Sequence, residues 1–277
     1  MERLNPKRLD EFPQVVRIDP VGRCNFRCVH CPVGIHGTNR PRMTFDTFKT
    51  IYKRLPATPR VLVLYHGGES LLNPQLELFI RYAKDHKTNK VLFNTNASLL
   101  TLSRAEQLAD AGLDELRVSF DGSSAEENDK IRRGGNFVKQ ASVVKEAARL
   151  LNITIYNVKF DGSPAPATYL KDYFGDSVKY RTEIARVWAH EDKNNAPSIP
   201  VTYCNPLFET FTILSDGDVV SCCEDLLKDY CYGNVLTETP LQIWDKMQGI
   251  RNAFLQRDYP ELCKHCWVVT GSKLEVK

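Results

Sequence analysis

Three cysteines fall within eight residues: Cys24, Cys28 and Cys31, spaced C-x3-C-x2-C in the run RCNFRCVHCP. Thiolates bind soft and borderline metals, and cysteines this close in a loop can converge on one centre. A structural zinc site usually takes four protein ligands. Here the motif offers three thiols, with His30 between the last two. Zinc is one reading. The other is a four-iron cluster, on which three thiolates leave one iron open to bind and reduce a small molecule. Six more cysteines lie downstream: Cys204, Cys222, Cys223, Cys231, Cys263 and Cys266. Cys263 and Cys266 form C-x2-C, while Cys204 and Cys222 flank a predicted hairpin. Those four could hold a second cluster or, again, zinc.

The elements that must position these groups follow from periodicity. Apolar runs at 15–18, 61–65, 90–96, 115–122 and 153–160 read as strands. Helical patterns at 43–55, 73–86, 101–112 and 136–151 alternate with them, and Thr44 is a plausible N-cap. The alternation predicts a parallel sheet with helical crossovers. About six such units are too few for a closed eight-stranded barrel. The expected fold class is therefore α/β, a partial barrel over 15–188 after an extension at 1–14. The cysteine motif falls at the C-terminal end of the first strand, where α/β barrels build active sites. A polar segment with two prolines, 189–200, reads as a linker. Beyond it, FETFTIL and DVVSCCE flank Ser215-Asp216-Gly217, a hairpin signal, and a helix is expected over 240–257.

Composition narrows the class of protein. The chain has 277 residues, 42% hydrophobic and 26% charged, with net charge +3. Its basic residues form no block, so nucleic acid is not an expected partner. The N-terminal MERLNPKRLDEF has no apolar core of a signal peptide, and no apolar run reaches membrane-spanning length. The expected location is the cytoplasm, where nine cysteines do not read as a disulfide framework.

With Gly67-Gly68-Glu69 directly after the second strand, NTN at 94–96 and SFDG at 119–122, the first cysteine motif resembles that of the radical S-adenosylmethionine (SAM) superfamily. The resemblance covers about residues 15–185. It implies that Cys24, Cys28 and Cys31 hold a 4Fe-4S cluster whose open iron takes the cofactor. It also implies a reductive cleavage that makes a 5'-deoxyadenosyl radical. Gly67 and Gly68 would let backbone approach the cofactor, with Glu69 nearby to hold its ammonium group; the bland alternative is a tight strand-to-helix turn. Asn94, Asn96 and His30 fall among the expected cofactor contacts. Ser119 and Asp121 lie where ribose or carboxylate contacts are expected, although Asp121-Gly122 also makes an ordinary turn. Arg132 or Arg133 would hold the cofactor carboxylate, or simply be solvated.

Downstream, C-x12-G-x4-C at 204–222, YGNV at 232–235, a Trp244-containing helix and the last C-x2-C are similar to the SPASM domain in its short "twitch" form. The segment looks close to the branch of the aminocyclitol dehydrogenase of butirosin biosynthesis. The resemblance implies a small α+β module over 201–277 with a second 4Fe-4S cluster on Cys204, Cys222, Cys263 and Cys266. No cysteine follows Cys266, so one auxiliary cluster is expected. Cys231 reads as a buried small hydrophobe. Cys223 is read as spare packing, an alternative ligand or a hydrogen-atom donor. As a donor it would lie on a strand that turns it away from the face of Cys222. The expected substrate is a small polar molecule of the aminocyclitol, aminoglycoside or sugar type. The expected reaction is radical epimerisation with Cys223 as donor. Dehydrogenation of a secondary alcohol, peptide modification and a non-catalytic zinc protein are the alternatives. A flavodoxin- or ferredoxin-type protein is the expected electron donor.

Overall fold

The computed structural model describes residues 11–160, 163, 165–185, 188 and 201–271, so the expected linker at 189–200 lies outside the described residues. Six strands run in parallel: β1 (Val15–Ile18), β2 (Val61–Val63), β3 (Lys90–Thr95), β4 (Glu115–Ser119), β5 (Ile153–Lys159) and β6 (Lys179–Ile184). Three more follow, β7 (Thr210–Ile213), β8 (Asp218–Val220) and β9 (Cys231–Asn234). Helices connect the parallel strands as the alternating pattern predicts, and the class is α/β.

One sheet contains all nine strands, in the order β6-β5-β4-β3-β2-β1-β7-β8-β9. The C-terminal hairpin therefore makes no sheet of its own. Strand β7 pairs in parallel with β1, from Val15↔Thr210 to Ile18↔Ile213, and β8 and β9 follow antiparallel. Gly217, at φ +89°, makes the β7–β8 turn that a residue with a Cβ would enter only with strain.

Strand alternation divides the sheet into two faces. Val16, Ile18, Leu62, Val91, Phe93 and Leu116 are 0–1% exposed, and they share one core with the helical Phe48, Phe79, Leu108 and Val144. The helices thus cover that face. Arg17, Asn94, Arg117, Ser119 and Tyr156 have the opposite parity and are half-buried. Helix starts follow the expected capping chemistry: the Thr44 hydroxyl accepts from Thr47 N at 3.1 Å, ahead of the helix Phe45–Arg54. The helix expected over 73–86 forms only at Leu76–Asp85, because Asn73 Oδ1 accepts from Gln75 N and holds the entry in a turn. The single helix expected over 240–257 is two, Pro240–Lys246 and Gln248–Leu255.

Candidate functional site

The C-terminal ends of β1 to β4 converge on an open cleft. Cys24, Cys28 and Cys31 line it from the loop after β1. Backbone pairing fixes that loop: Arg27 N donates to Arg133 O at 2.8 Å, Val29 N to Ile131 O at 2.9 Å, and Glu69 N to Arg23 O at 3.0 Å. A short helix, Pro32–His36, then packs so tightly that a Cβ on Gly34 would stand 2.7 Å from Cys28 O. Gly68 meets the loop more closely still, since its Cβ would overlap the Val21 carbonyl oxygen.

Around the thiols stand Gly67, Gly68, Glu69, Asn94 and Asn96, with Ser119, His30 and Arg132 opposite. Glu69 is 2% exposed and ties two loops together. Its carboxylate accepts from Thr95 Oγ1 at 2.7 Å, Asn96 N at 2.8 Å and Leu71 N at 3.0 Å. Burial raises its pKa against those three bonds. Asn96 Nδ2 donates to Asn25 Oδ1 at 2.9 Å. Asp121 does not line the cleft as the SFDG motif suggested. It is 0% exposed, and its Oδ2 sits 2.6 Å from Arg132 Nη1 and 3.9 Å from His30 Nε2. It positions Arg132, which does face the cleft. Burial opposes the Arg132 charge, but Asp121 and Cys28 outweigh it and raise the pKa. Arg133 is exposed and lines a separate hollow with Arg27 and Ile35.

The cleft fits a polar cofactor. His30 Nδ1, Arg132 Nε and Asn94 Oδ1 are buried there without hydrogen-bond partners, and such groups normally find one. Burial pushes the Cys28 thiol up to about 12, so a cationic centre is what would make it a ligand thiolate. Sequence reasoning missed Tyr65 and His66, which line the cleft between β2 and Gly67. The only signal was their place, directly after a buried strand. Burial, then Arg17 and Arg40, push the His66 pKa down to about 3.

The downstream thiols form a second neighbourhood. Cys204 is the N-cap residue of the helix Asn205–Glu209, just before β7. Burial raises Cys222 well above its usual value, with Cys223, Cys263 and Cys204 adding to the rise. Burial likewise pushes Cys204 and Cys263 up to about 12, and raises Cys266 with Glu224, Cys204 and Cys263 contributing. Cys204 and Cys263 thus lie within electrostatic reach of each other and of both Cys222 and Cys266. Among the described residues no three His, Cys, Asp or Glu side chains converge on a point for one ion.

Two expectations need correcting. Cys231 is exposed, on the outermost strand β9, not buried. Cys222 and Cys223 are not on a strand, because β8 ends at Val220. Buried Asp225 accepts from Asp229 N at 2.7 Å and Tyr230 N at 3.0 Å, which draws the chain into a turn. The two thiols differ in burial more than in neighbours: Cys222 is buried and Cys223 half-buried, while Arg17 and Cys204 lie within electrostatic reach of both.

No helix among the described residues is long and apolar enough to cross a membrane. A model of the Radical SAM superfamily matches residues 18–162, and one of the SPASM iron-sulfur cluster-binding domain matches 204–267. An AdoMet-dependent heme synthase of Methanosarcina barkeri (strain Fusaro / DSM 804) is 32% identical over 122 residues, 43% of this chain and 34% of the relative. The chain spans less than half the length of the curated relatives it matches. The crystal structure of BtrN in complex with AdoMet and 2-DOIA superposes with TM-score 0.65 at 18% identity, over 92% of this chain and 93% of that one. Streptococcus suis SuiB bound to precursor peptide SuiA gives 0.64 at 16%, over 93% and 73%. Those structures speak for the fold alone. Because the first family model spans more than half of its residues, the chain belongs to the Radical SAM superfamily, and it carries a SPASM iron-sulfur cluster-binding domain.

Proposed function

We propose that this chain abstracts a hydrogen atom from an unactivated carbon of a small polar substrate and inverts that centre, with Cys223 returning hydrogen to the opposite face. When bound, SAM and the 4Fe-4S cluster of the family supply the 5'-deoxyadenosyl radical that takes the first hydrogen. Cys24, Cys28 and Cys31 would hold that cluster. His30, Asn94, Asn96, Ser119 and Arg132, with Gly67 to Glu69, would orient the cofactor. Cys204, Cys222, Cys263 and Cys266 would hold an auxiliary cluster. The division into a barrel over 15–188 and a cluster module over 201–277 belongs to the same reading.

What supports a donor role is the contrast between two adjacent thiols. Cys222 is buried, whereas Cys223 is half-buried, and the strongest charge on Cys223 is Arg17, a residue of the sheet face that carries Asn94 and Ser119; Arg17 also lies within electrostatic reach of Cys222. An S–H bond there can quench a substrate radical without binding iron. A flavodoxin- or ferredoxin-type protein would supply the electrons. The shared fold with BtrN favours a second reading, dehydrogenation with the auxiliary cluster as electron acceptor.

The test is turnover of reconstituted, reduced enzyme in deuterated water with candidate polyols, sugars and peptides. A gain of one mass unit supports inversion. A loss of two supports dehydrogenation. Cys223→Ala should keep both clusters and 5'-deoxyadenosine release but lose the deuterium incorporation. Loss of auxiliary iron in that variant would make Cys223 a ligand and sink the donor role.

A further inference from the structure

Among the described residues, the sheet face opposite the helices is cationic and aromatic where it meets the cleft. Arg17, on β1, stacks over the Tyr65 ring at 4.7 Å and donates to Tyr65 O at 3.4 Å. Its Nε is buried without a hydrogen-bond partner. Among the described residues no carboxylate pairs with it. Arg117, on β4, packs over the Tyr156 ring at 5.2 Å, and Arg181, on β6, does so at 5.4 Å. Glu115 holds Arg117 through both prongs of its fork, Nε at 2.9 Å and Nη2 at 3.3 Å, and also takes Lys90 Nζ at 2.6 Å, so among the described residues Arg17 is the guanidinium of this face that no carboxylate holds. Tyr65 links the set, because its hydroxyl lies within electrostatic reach of both Arg17 and Arg117.

Strand register puts these side chains on one face. Arg17 pairs with Val63, Val63 with Leu92, and Asn94 with Arg117, while Ser119 pairs with Tyr156 and Tyr156 with Arg181. Asn94, Ser119 and Tyr65 also line the cofactor cleft. The arginine face and the cleft are therefore one continuous surface.

A half-buried guanidinium without a counter-ion is costly, and positive charge that outnumbers its carboxylates needs an external partner. We propose that Arg17 anchors the substrate subsite, and that it takes an anionic group, a carboxylate or phosphate, held beside Tyr65 with the rest of the substrate directed toward the cleft. A guanidinium fork matches either oxyanion bidentately, and the tyrosine rings suit a flat or apolar body beside it. The same charge disfavours the polyamine character of an aminocyclitol. The subsite rests on the reading of this barrel as a radical SAM catalyst, since it names what that catalyst would bind.

The experiment titrates the full chain, reconstituted anaerobically with its clusters and SAM, with inorganic phosphate, benzoate and cyclohexane-1,3-diamine by calorimetry. At least one anion should bind and the diamine should not. Tighter phosphate binding points to a phosphorylated substrate, tighter benzoate binding to a carboxylate. Arg17→Gln should weaken the anion by about 10- to 100-fold, and Arg17→Lys by less, because it keeps the charge and loses the fork. If Arg17→Gln does not fold, as judged by circular dichroism, Arg17→Lys carries the same decision through its smaller loss. Absence of anion binding, unchanged binding in the variants, or tighter binding of the diamine overturns the subsite. Release of 5'-deoxyadenosine by the wild-type protein, measured alongside, tests the catalytic reading by itself: anion binding without cleavage sinks that reading, and cleavage without anion binding sinks only the subsite.

Discussion

Gly68→Ala is the smallest change that should silence the site. The new Cβ would overlap the Val21 carbonyl oxygen and stand 2.8 Å from both Val21 C and Arg23 O. All three are backbone atoms of the segment leading into Cys24, so no side chain can swing aside. The loops after β1 and β2 must part by about 1 Å or more, and misplacement of that size costs on the order of 100-fold in rate. Gly67→Ala is the internal control. Its Cβ would meet Arg40 Nη2 at 2.9 Å and Val33 Cγ2 at 3.2 Å, both ends of side chains that can yield. The assay is 5'-deoxyadenosine release after dithionite reduction, with iron content and melting temperature measured on the same preparations. Gly68→Ala should lose about 100-fold in cleavage, and Gly67→Ala less than 10-fold. Equal activity in the two variants, or wild-type activity in Gly68→Ala with an unchanged melt, refutes the close-approach reasoning.

Asp121→Asn removes the charge opposite half-buried Arg132, so it should cost about 3 kcal/mol and weaken SAM binding, read by melting temperature and SAM titration. Below its usual pKa of 6.5, His66 would be protonated in the unfolded chain but resists the proton when folded until about pH 3; stability should therefore fall as pH drops through that window, and His66→Gln should flatten the fall in thermal melts at pH 7, 5.5 and 4.5. Replacing Cys24, Cys28 and Cys31 together with alanine should abolish 5'-deoxyadenosine release yet retain about four irons per chain, counted chemically, on the downstream thiols. Trp244→Ala empties a site only 1% exposed, packed against Phe211 and capped by Arg251 3.8 Å above its ring, and should cost about 3–5 kcal/mol by melting.

The parallel core was legible because β1 to β5 are apolar runs whose helix-facing residues all enter one core. Strand β6, KYRTEI, escaped because it is a sheet edge with no buried run, and Arg181 there is solvated. Strand β9 is short and holds a glycine, so Cys231 beside Tyr232 looked buried when edge pairing leaves it exposed. The first cysteine motif was legible because its three thiols fall within eight residues, whereas the downstream set, spread from Cys204 to Cys266, needed the predicted hairpin to bring it together. The roles of Glu69 and Asp121 were not, since each works through a partner from a different loop: Thr95 and Asn96 for one, Arg132 for the other. The turn at Asp225, which ends β8 early, depends on amides four and five residues ahead, and strand alternation does not foresee it.

The parallel pairing of β1 with β7 also bears on the order in which the molecule can be made. Strand β1 leads straight into the first cysteine loop, yet its β7 neighbour lies about 195 residues further along the chain. On the ribosome, the strand that leads into the first thiols waits with one edge unpaired until β7 has emerged. A truncated chain ending before β7 would leave that edge beside Cys24, a ready template for pairing with another copy. Iron delivered before synthesis is complete would thus meet a loop whose supporting strand is half-fastened. Synthesis of the segment that carries the second set of thiols is thereby what fastens the strand leading into the first.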